Sequence, residues 1–269
     1  MGSGPRRIVC LSAETADVLY RLGAGDLIVG VSGYTTVPRE ARQKPIVSAF
    51  TTIRYDRIEA LQPDIILGFS DLQAEALRVL GERGYPVLLT NQRTLQEIFD
   101  TMVTIGRIVS RGPEAEALVA GLQKDLDRVR EASRGWARRP RVYFEEWGDP
   151  LITGIAWVGE LIEAAGGEDV FPEIRPLRTA PQRVLRPEAV VERAPDIIIA
   201  SWCGKKVKLE AIRSRPEWQG IPAVRYGRIY EIKSAYCLQP GPILITEGLP
   251  RFHAIFRSFA ESAAGAELR

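Results

Sequence analysis

Ala60-Leu61-Gln62-Pro63-Asp64-Ile65-Ile66-Leu67-Gly68-Phe69 and Arg193-Ala194-Pro195-Asp196-Ile197-Ile198-Ile199-Ala200-Ser201-Trp202 carry one pattern twice in a single chain. Each follows a short amphipathic helical segment, turns at Pro-Asp, continues as an apolar strand and runs out into a loop with an aromatic residue, Phe69 or Trp202. The copies lie about 130 residues apart, too long a period for a solenoid. The pattern predicts two similar α/β lobes, with a cleft between them where a small ligand would bind.

Working outward from the first copy, strand and helix patterns alternate. Ile8 to Leu11 reads as a buried strand. Ser12 to Leu22 reads as a helix with Ser12 as N-cap and Gly23 as its stop. Leu27 to Val31 reads as a strand, Tyr55 to Leu61 as a short helix, Asp71 to Glu82 as a helix and Val87 to Thr90 as a closing strand. Such alternation implies a mainly parallel sheet covered by helices. From Leu95 to Ser133 the apolar spacing is helical throughout, broken only at Gly112-Pro113. Two helices in series are expected there, with Pro113 opening the second. They make a stiff connector, so lobe closure should be small. Around the second copy, Arg141 to Glu145 reads as a strand, Trp157 to Ala165 as a helix, Pro187 to Arg193 as a short helix and Arg228 to Ile232 as a strand. The final helix falls within 242–259. The expected division is an N-terminal α/β lobe over residues 1–93, a helical connector over 94–139 and a C-terminal α/β lobe over 140–269. The fold class is α/β, two parallel-sheet lobes joined by a long helical connector.

Composition narrows the function. The chain has 269 residues, 45% of them hydrophobic, enough for two real cores. A net charge of +2 gives no electrostatic case for nucleic acid. No apolar run reaches the roughly 18 residues that a membrane helix needs, so no membrane insertion is expected. No secretory leader precedes the first strand, which reads as cytoplasmic for the sequence as written and as periplasmic if a leader was removed. Cys10, Cys203 and Cys237 have no metal-ligand spacing, and their odd number argues against a disulfide framework. Cys203 and Cys237 could still pair in space.

Catalytic signatures are missing. There is no P-loop, no Gly-x-Ser-x-Gly and no Gly-x-Gly-x-x-Gly after a strand. The single histidine, His253, lies among Phe252, Ile255 and Phe256 and reads as structural. No catalytic residue, metal site or cofactor is expected. What stands out instead is aromatic. Tyr34 follows the second strand, Phe69 and Trp202 follow the repeated strands, Trp157 opens a helix and Tyr236 precedes Pro240-Gly241-Pro242. Glu145-Glu146-Trp147 ends a strand, on the side of a parallel sheet where ligands bind. Two carboxylates beside an indole suit an amide or cationic ligand edge; the alternative is a Glu145–Arg pair with Trp147 packed under its loop. Lys205-Lys206-Val207-Lys208 reads first as a solvated face and second as a seat for an anionic ligand group.

These segments, with Ile28-Val29-Gly30-Val31-Ser32, Tyr143-Phe144-Glu145-Glu146-Trp147, Trp157-Val158-Gly159-Glu160-Leu161-Ile162, Ala165-Gly166-Gly167, Trp202-Cys203-Gly204, Ile221-Pro222-Ala223-Val224 and Pro240-Gly241-Pro242, resemble a family across almost the whole chain. It is the cobalamin-binding branch of the helical-backbone periplasmic binding proteins, a type shared with iron-siderophore and haem receptors. The resemblance implies non-enzymatic binding of a corrinoid as the substrate of an ABC transporter. The corrinoid would be a ligand and not a cofactor, and a monomer is expected. Ligand contacts would come from Tyr34, Phe69, Glu145, Glu146, Trp147, Trp157, Trp202 and Tyr236. Glu75 and Glu210 match the acidic residues through which family members dock on a permease. The alternatives are a ferric-siderophore or haem receptor and a cytosolic enzyme or carrier of corrinoid metabolism that reuses the fold. Two loops depart from the family pattern, Ser12-Ala13-Glu14-Thr15-Ala16-Asp17 and Gly33-Tyr34-Thr35-Thr36.

Overall fold

In each repeat a helix ends on a left-handed residue, a Pro-Asp pair follows, and the aspartate clamps the start of the neighbouring strand. Gln62 and Ala194, both at φ 44°, are those left-handed caps. Asp64 accepts the N–H groups of Arg6 and Arg7 at 2.7 and 2.9 Å. Asp196 accepts the N–H of Arg141 at 3.0 Å and a guanidinium N–H of Arg138 at 2.7 Å. The repeat is therefore a device that ties a strand to its neighbour through otherwise orphaned backbone donors.

The computed structural model describes residues 4–267, with side chains through 262. The chain divides into two compact units. Unit one comprises residues up to 92 with 96–122 and 239–243; unit two comprises 93–95, 123–238 and the chain from 244 onward.

Unit one holds strands β1 (Ile8–Cys10), β2 (Ile28–Ser32), β3 (Ile46–Ala49), β4 (Thr52–Ile53), β5 (Ile65–Phe69) and β6 (Val87–Thr90). Their order in the sheet is β4-β3-β2-β1-β5-β6, parallel except for β4. The helix Ala13–Arg21 follows β1, Tyr55–Leu61 precedes β5, and Ala74–Glu82 lies between β5 and β6. Val9, Leu11, Val47, Ile58, Ile66, Leu77 and Leu80 make one core cluster of this unit. Gly68 is needed where the helix Ala74–Glu82 approaches β5, because a Cβ there would stand 2.5 Å from Leu77 and 3.1 Å from Gln73.

Unit two holds β7 (Arg141–Gly148), β8 (Leu151–Thr153), β9 (Glu168–Asp169), β10 (Ile197–Ala200) and β11 (Ile229–Glu231). The order β11-β10-β7-β8 is parallel except for β8, and β9 also pairs with β7. Tyr143, Trp218 and Phe171 fill its core with edge-on ring contacts at 5.8 and 6.0 Å. The helices Leu95–Ile108 and Gly112–Ser133 stand where the apolar spacing placed them. They pack closely at Gly106, inside the first of them, where a Cβ would come within 2.3 Å of Ala115.

Two readings are corrected, and four short strands are new. Ser12 sits at the N-cap position with extended backbone, but its side chain makes no cap bond and its buried hydroxyl has no partner. The β3–β4 hairpin, β8 and β9 were not legible, being two to four residues long with no alternation to mark them. The final helix begins with a π-helical turn, Leu244–Gly248, before Leu249–Glu267.

Candidate ligand-binding site

In a parallel sheet the carboxyl ends of the strands gather the loops that bind ligands. In unit two, the register sets Glu145 beside Ala200 and Ala200 beside Glu231, so the parallel part of β7 ends level with β10 and β11. A bulge between Glu145 and Trp147 in the pairing with β8 turns the last residues of β7. Bulges re-aim side chains in this way. Glu145 then points inward and is fully buried, while Glu146 and Trp147 are half-buried.

Neither carboxylate is free for a ligand. Arg215 holds Glu145 with two bonds, at 2.6 and 3.1 Å, and stacks its guanidinium 4.2 Å from the centre of the Trp218 ring. Burial pushes the Glu145 pKa up, and Arg215 pulls it back. Arg183 holds Glu146 with two bonds, at 2.6 and 2.9 Å, and also donates to the carbonyl of Thr153. Sequence reasoning left open whether Glu145 would meet a ligand or an arginine, and the arginine holds it. Arg215 and Arg183 carried no local signal, because they lie 70 and 37 residues from their partners.

Glu145 has a second task. Its Oε1 accepts the indole N–H of Trp202 at 3.2 Å. The Trp202 ring also lies over Gly148, where a Cβ would come within 2.7 Å of it. Trp147 donates its indole N–H to the carbonyl of Asp149 at 2.8 Å. The two rings lie 6.4 Å apart, tilted by 52°. Together they form a partly exposed aromatic surface at the strand ends, with both N–H groups satisfied and the ring faces fixed. Lys205 places its ammonium 4.6 Å from the centre of the Trp147 ring.

The other expected contacts fall in different settings. Phe69 is the last residue of β5 and not part of the loop beyond it, and it is buried. Trp157 lies inside the helix Ala156–Ala164, 2% exposed, with its N–H on the carbonyl of Cys237 at 3.0 Å; it is a core residue of unit two. Tyr236 is half-buried in the short helix Ser234–Cys237, under the guanidinium of Arg251 at 4.1 Å. Tyr34 follows β2 in unit one and is 47% exposed. In the same unit Gln73 is fully buried and ties together the ends of three strands. Its side chain accepts from Phe69 at 2.9 Å and donates to the carbonyls of Leu11 and Phe50 at 3.1 and 2.8 Å. Only its place four residues after Phe69 hinted at this.

Glu75 lies on the first turn of the helix Ala74–Glu82 and pairs with Arg78 at 2.7 Å; its hydrogen bond to Arg78 lowers its pKa. Glu210 lies on the first turn of the helix Leu209–Arg213 and pairs with Arg213 at 2.5 Å. Both glutamates are exposed, each in the same local setting after a repeated strand. Cys10, Cys203 and Cys237 are free thiols, and Cys237 lies 3.2 Å from the hydroxyl of Ser201. His253 stacks on Trp136 at 5.2 Å, its Nδ1 3.1 Å from the carbonyl of Ala165. Among the described residues no cluster has the makings of a metal site, and no helix is long and apolar enough to cross a membrane.

The model of the periplasmic binding protein family matches residues 8–236. The chain belongs to that family. Its members are solute-binding proteins and not enzymes. Among similar proteins is the uncharacterized ABC transporter substrate-binding lipoprotein YvrC of Bacillus subtilis, 26% identical over 90% of this chain and 77% of that one. A vitamin B12-binding protein of Vibrio parahaemolyticus is 24% identical over 88% of this chain and 84% of its own. Among solved structures, the haem-binding RhuT of Roseiflexus superposes with a TM-score of 0.79 at 22% identity, covering 94% of this chain and 99% of that one. The vitamin B12-binding BtuF of Vibrio cholerae superposes with a TM-score of 0.74 at 20% identity, covering 96% and 98%. At that identity the likeness is one of fold.

Proposed function

We propose that this protein is the substrate-binding component of an ABC transporter and that its ligand is a corrinoid. The Trp147–Trp202 surface carries this reading. Two fixed indole faces at the strand ends of unit two suit a large, flat, partly apolar molecule, and both are held from behind so that little entropy is lost on binding. The vitamin B12-binding relatives support the corrinoid, and the lipoprotein relative supports the transporter. Tyr34 and Tyr236 are the further proposed contacts. Glu75 and Glu210 are the proposed permease contacts, exchanging their arginine partners for the transporter's own.

A haem receptor is the second reading, favoured by the higher TM-score of the haem-binding neighbour. Calorimetric titration with cyanocobalamin and, separately, with haemin tests both. The corrinoid reading expects one cyanocobalamin per chain and a rise in thermal midpoint at excess ligand; at about 100 times the dissociation constant, mass action adds about 2.7 kcal/mol of stability. No heat and no shift with cyanocobalamin, beside saturable haemin binding, would replace it with the second reading.

A further inference from the structure

The loop 203–208 carries three exposed cations, Lys205, Lys206 and Lys208, and is pinned at its middle. Val207 is 5% exposed in the core of unit two, and its N–H donates to Glu231 at 3.0 Å. Among the described residues none of the three lysines has a carboxylate partner. In the same unit Arg175, Arg183, Arg193, Arg213 and Arg215 each hold a carboxylate. Three carboxylates at the strand ends are already engaged: Glu145 by Arg215, Glu146 by Arg183, and Glu231 by the loop's own backbone. The three ammonium groups thus lie on the loop that follows Trp202 without a salt-bridge partner, and Lys205 lies against the Trp147 ring.

We infer that Lys205, Lys206 and Lys208 form an oxyanion seat that takes a phosphate or carboxylate group on the rim of the bound ligand. The inference rests on the proposed use of the Trp147–Trp202 surface by a macrocycle, and it adds what that macrocycle must carry. An ammonium held near an aromatic face and lacking a carboxylate has its charge available for a ligand anion, and charge-assisted bonds of this kind are the strong ones. Of the two polarities open in the sequence, a cationic or amide edge at Glu145 and Glu146 or an anionic group at the lysines, it takes the second.

The test uses three probes: cyanocobalamin, which carries a phosphodiester; haemin, which carries carboxylates; and dicyanocobinamide, a corrinoid with neither. The wild-type chain should bind cyanocobalamin at least about tenfold more tightly than dicyanocobinamide, the scale of one hydrogen bond to a charged group. In a K205Q/K206Q/K208Q variant that ratio should collapse towards one, and the salt dependence of cyanocobalamin binding should flatten. Lys205→Arg, which keeps the charge, should preserve the preference. If wild type binds both corrinoids equally, or the triple variant keeps the preference, the oxyanion seat is overturned and the corrinoid reading stands. If only haemin binds and the triple variant weakens it to the same degree, the corrinoid reading falls and the seat stands. Binding of none of the three overturns both.

Discussion

Glu14 is a carboxyl whose burial changes its chemistry. It lies 4% exposed in the first turn of the helix Ala13–Arg21, with one carboxyl oxygen unpartnered. Burial pushes its pKa up to about 7, with the Asp17 charge adding to the rise. The folded chain therefore holds Glu14 protonated at acid pH, whereas the unfolded chain ionises it near the usual 4.5. The stability this gives is complete below the unfolded value and is lost as pH rises through about 7. The loss amounts to about 3 kcal/mol at 1.36 kcal/mol per pKa unit. Glu14→Gln should be near neutral in denaturant melts at pH 4 and stabilising at pH 8. Equal midpoint shifts at the two pH values would mean that Glu14 does not titrate in the fold. The tryptophans divide in a second way. Trp157→Ala should cost about 3–5 kcal/mol of stability, as for a core aromatic. Trp202→Ala should cost less stability than that and weaken cyanocobalamin binding by about 1–3 kcal/mol, the scale of a hot-spot truncation. A stability loss at Trp202 equal to that at Trp157, with affinity per folded molecule unchanged, would make it a core residue as well. The sequence placed Trp147 and Trp202 together at strand ends. It did not separate them from Phe69 and Trp157, because burial depends on what folds over a residue and not on the residue itself.

At the scale of elements, the Pro-Asp clamp explains why the repeat was visible at all. A carboxylate that accepts backbone donors of the adjacent strand is needed wherever such a strand begins without a partner, so the same short phrase appears in both units. Asp196→Ala, at a buried carboxylate, should cost about 1–3 kcal/mol through unsatisfied donors, and Asp64→Ala less, because its bonds to Arg6 and Arg7 are exposed to water. Hydrogen exchange should quicken at the start of β1 in the Asp64 variant and at the start of β7 in the Asp196 variant. Faster exchange in both units from a single variant would contradict this local account. Strands and helices with strong periodicity were legible because their burial repeats along the chain. The hairpin and short strands were not, since register there is set by neighbours far away in sequence. The same distance hid the Glu145–Arg215 and Glu146–Arg183 pairs and with them the polarity of the site.

The molecule as a whole is not divided as the chain is. Residues 239–243 belong to unit one although unit two supplies the chain on either side of them. Gln92 donates to the carbonyl of Pro240 at 3.4 Å, Gln239 to that of Tyr34 at 3.4 Å, and Gly241 sits so near Glu14 that a Cβ would come within 2.8 Å of its side chain. Gly241→Val should therefore destabilise unit one, by about 1–3 kcal/mol as overpacking does. Hydrogen exchange in the helix Ala13–Arg21, some two hundred residues upstream, should report it; unchanged protection there would show that the contact is incidental.

The same return strand of chain has a consequence in time. A ribosome adds about 5–20 residues each second, so tens of seconds separate the appearance of Ala13–Arg21 from that of Gly241. Throughout that interval the first unit lacks its last piece, and any factor that prefers an unfinished chain has its opportunity then.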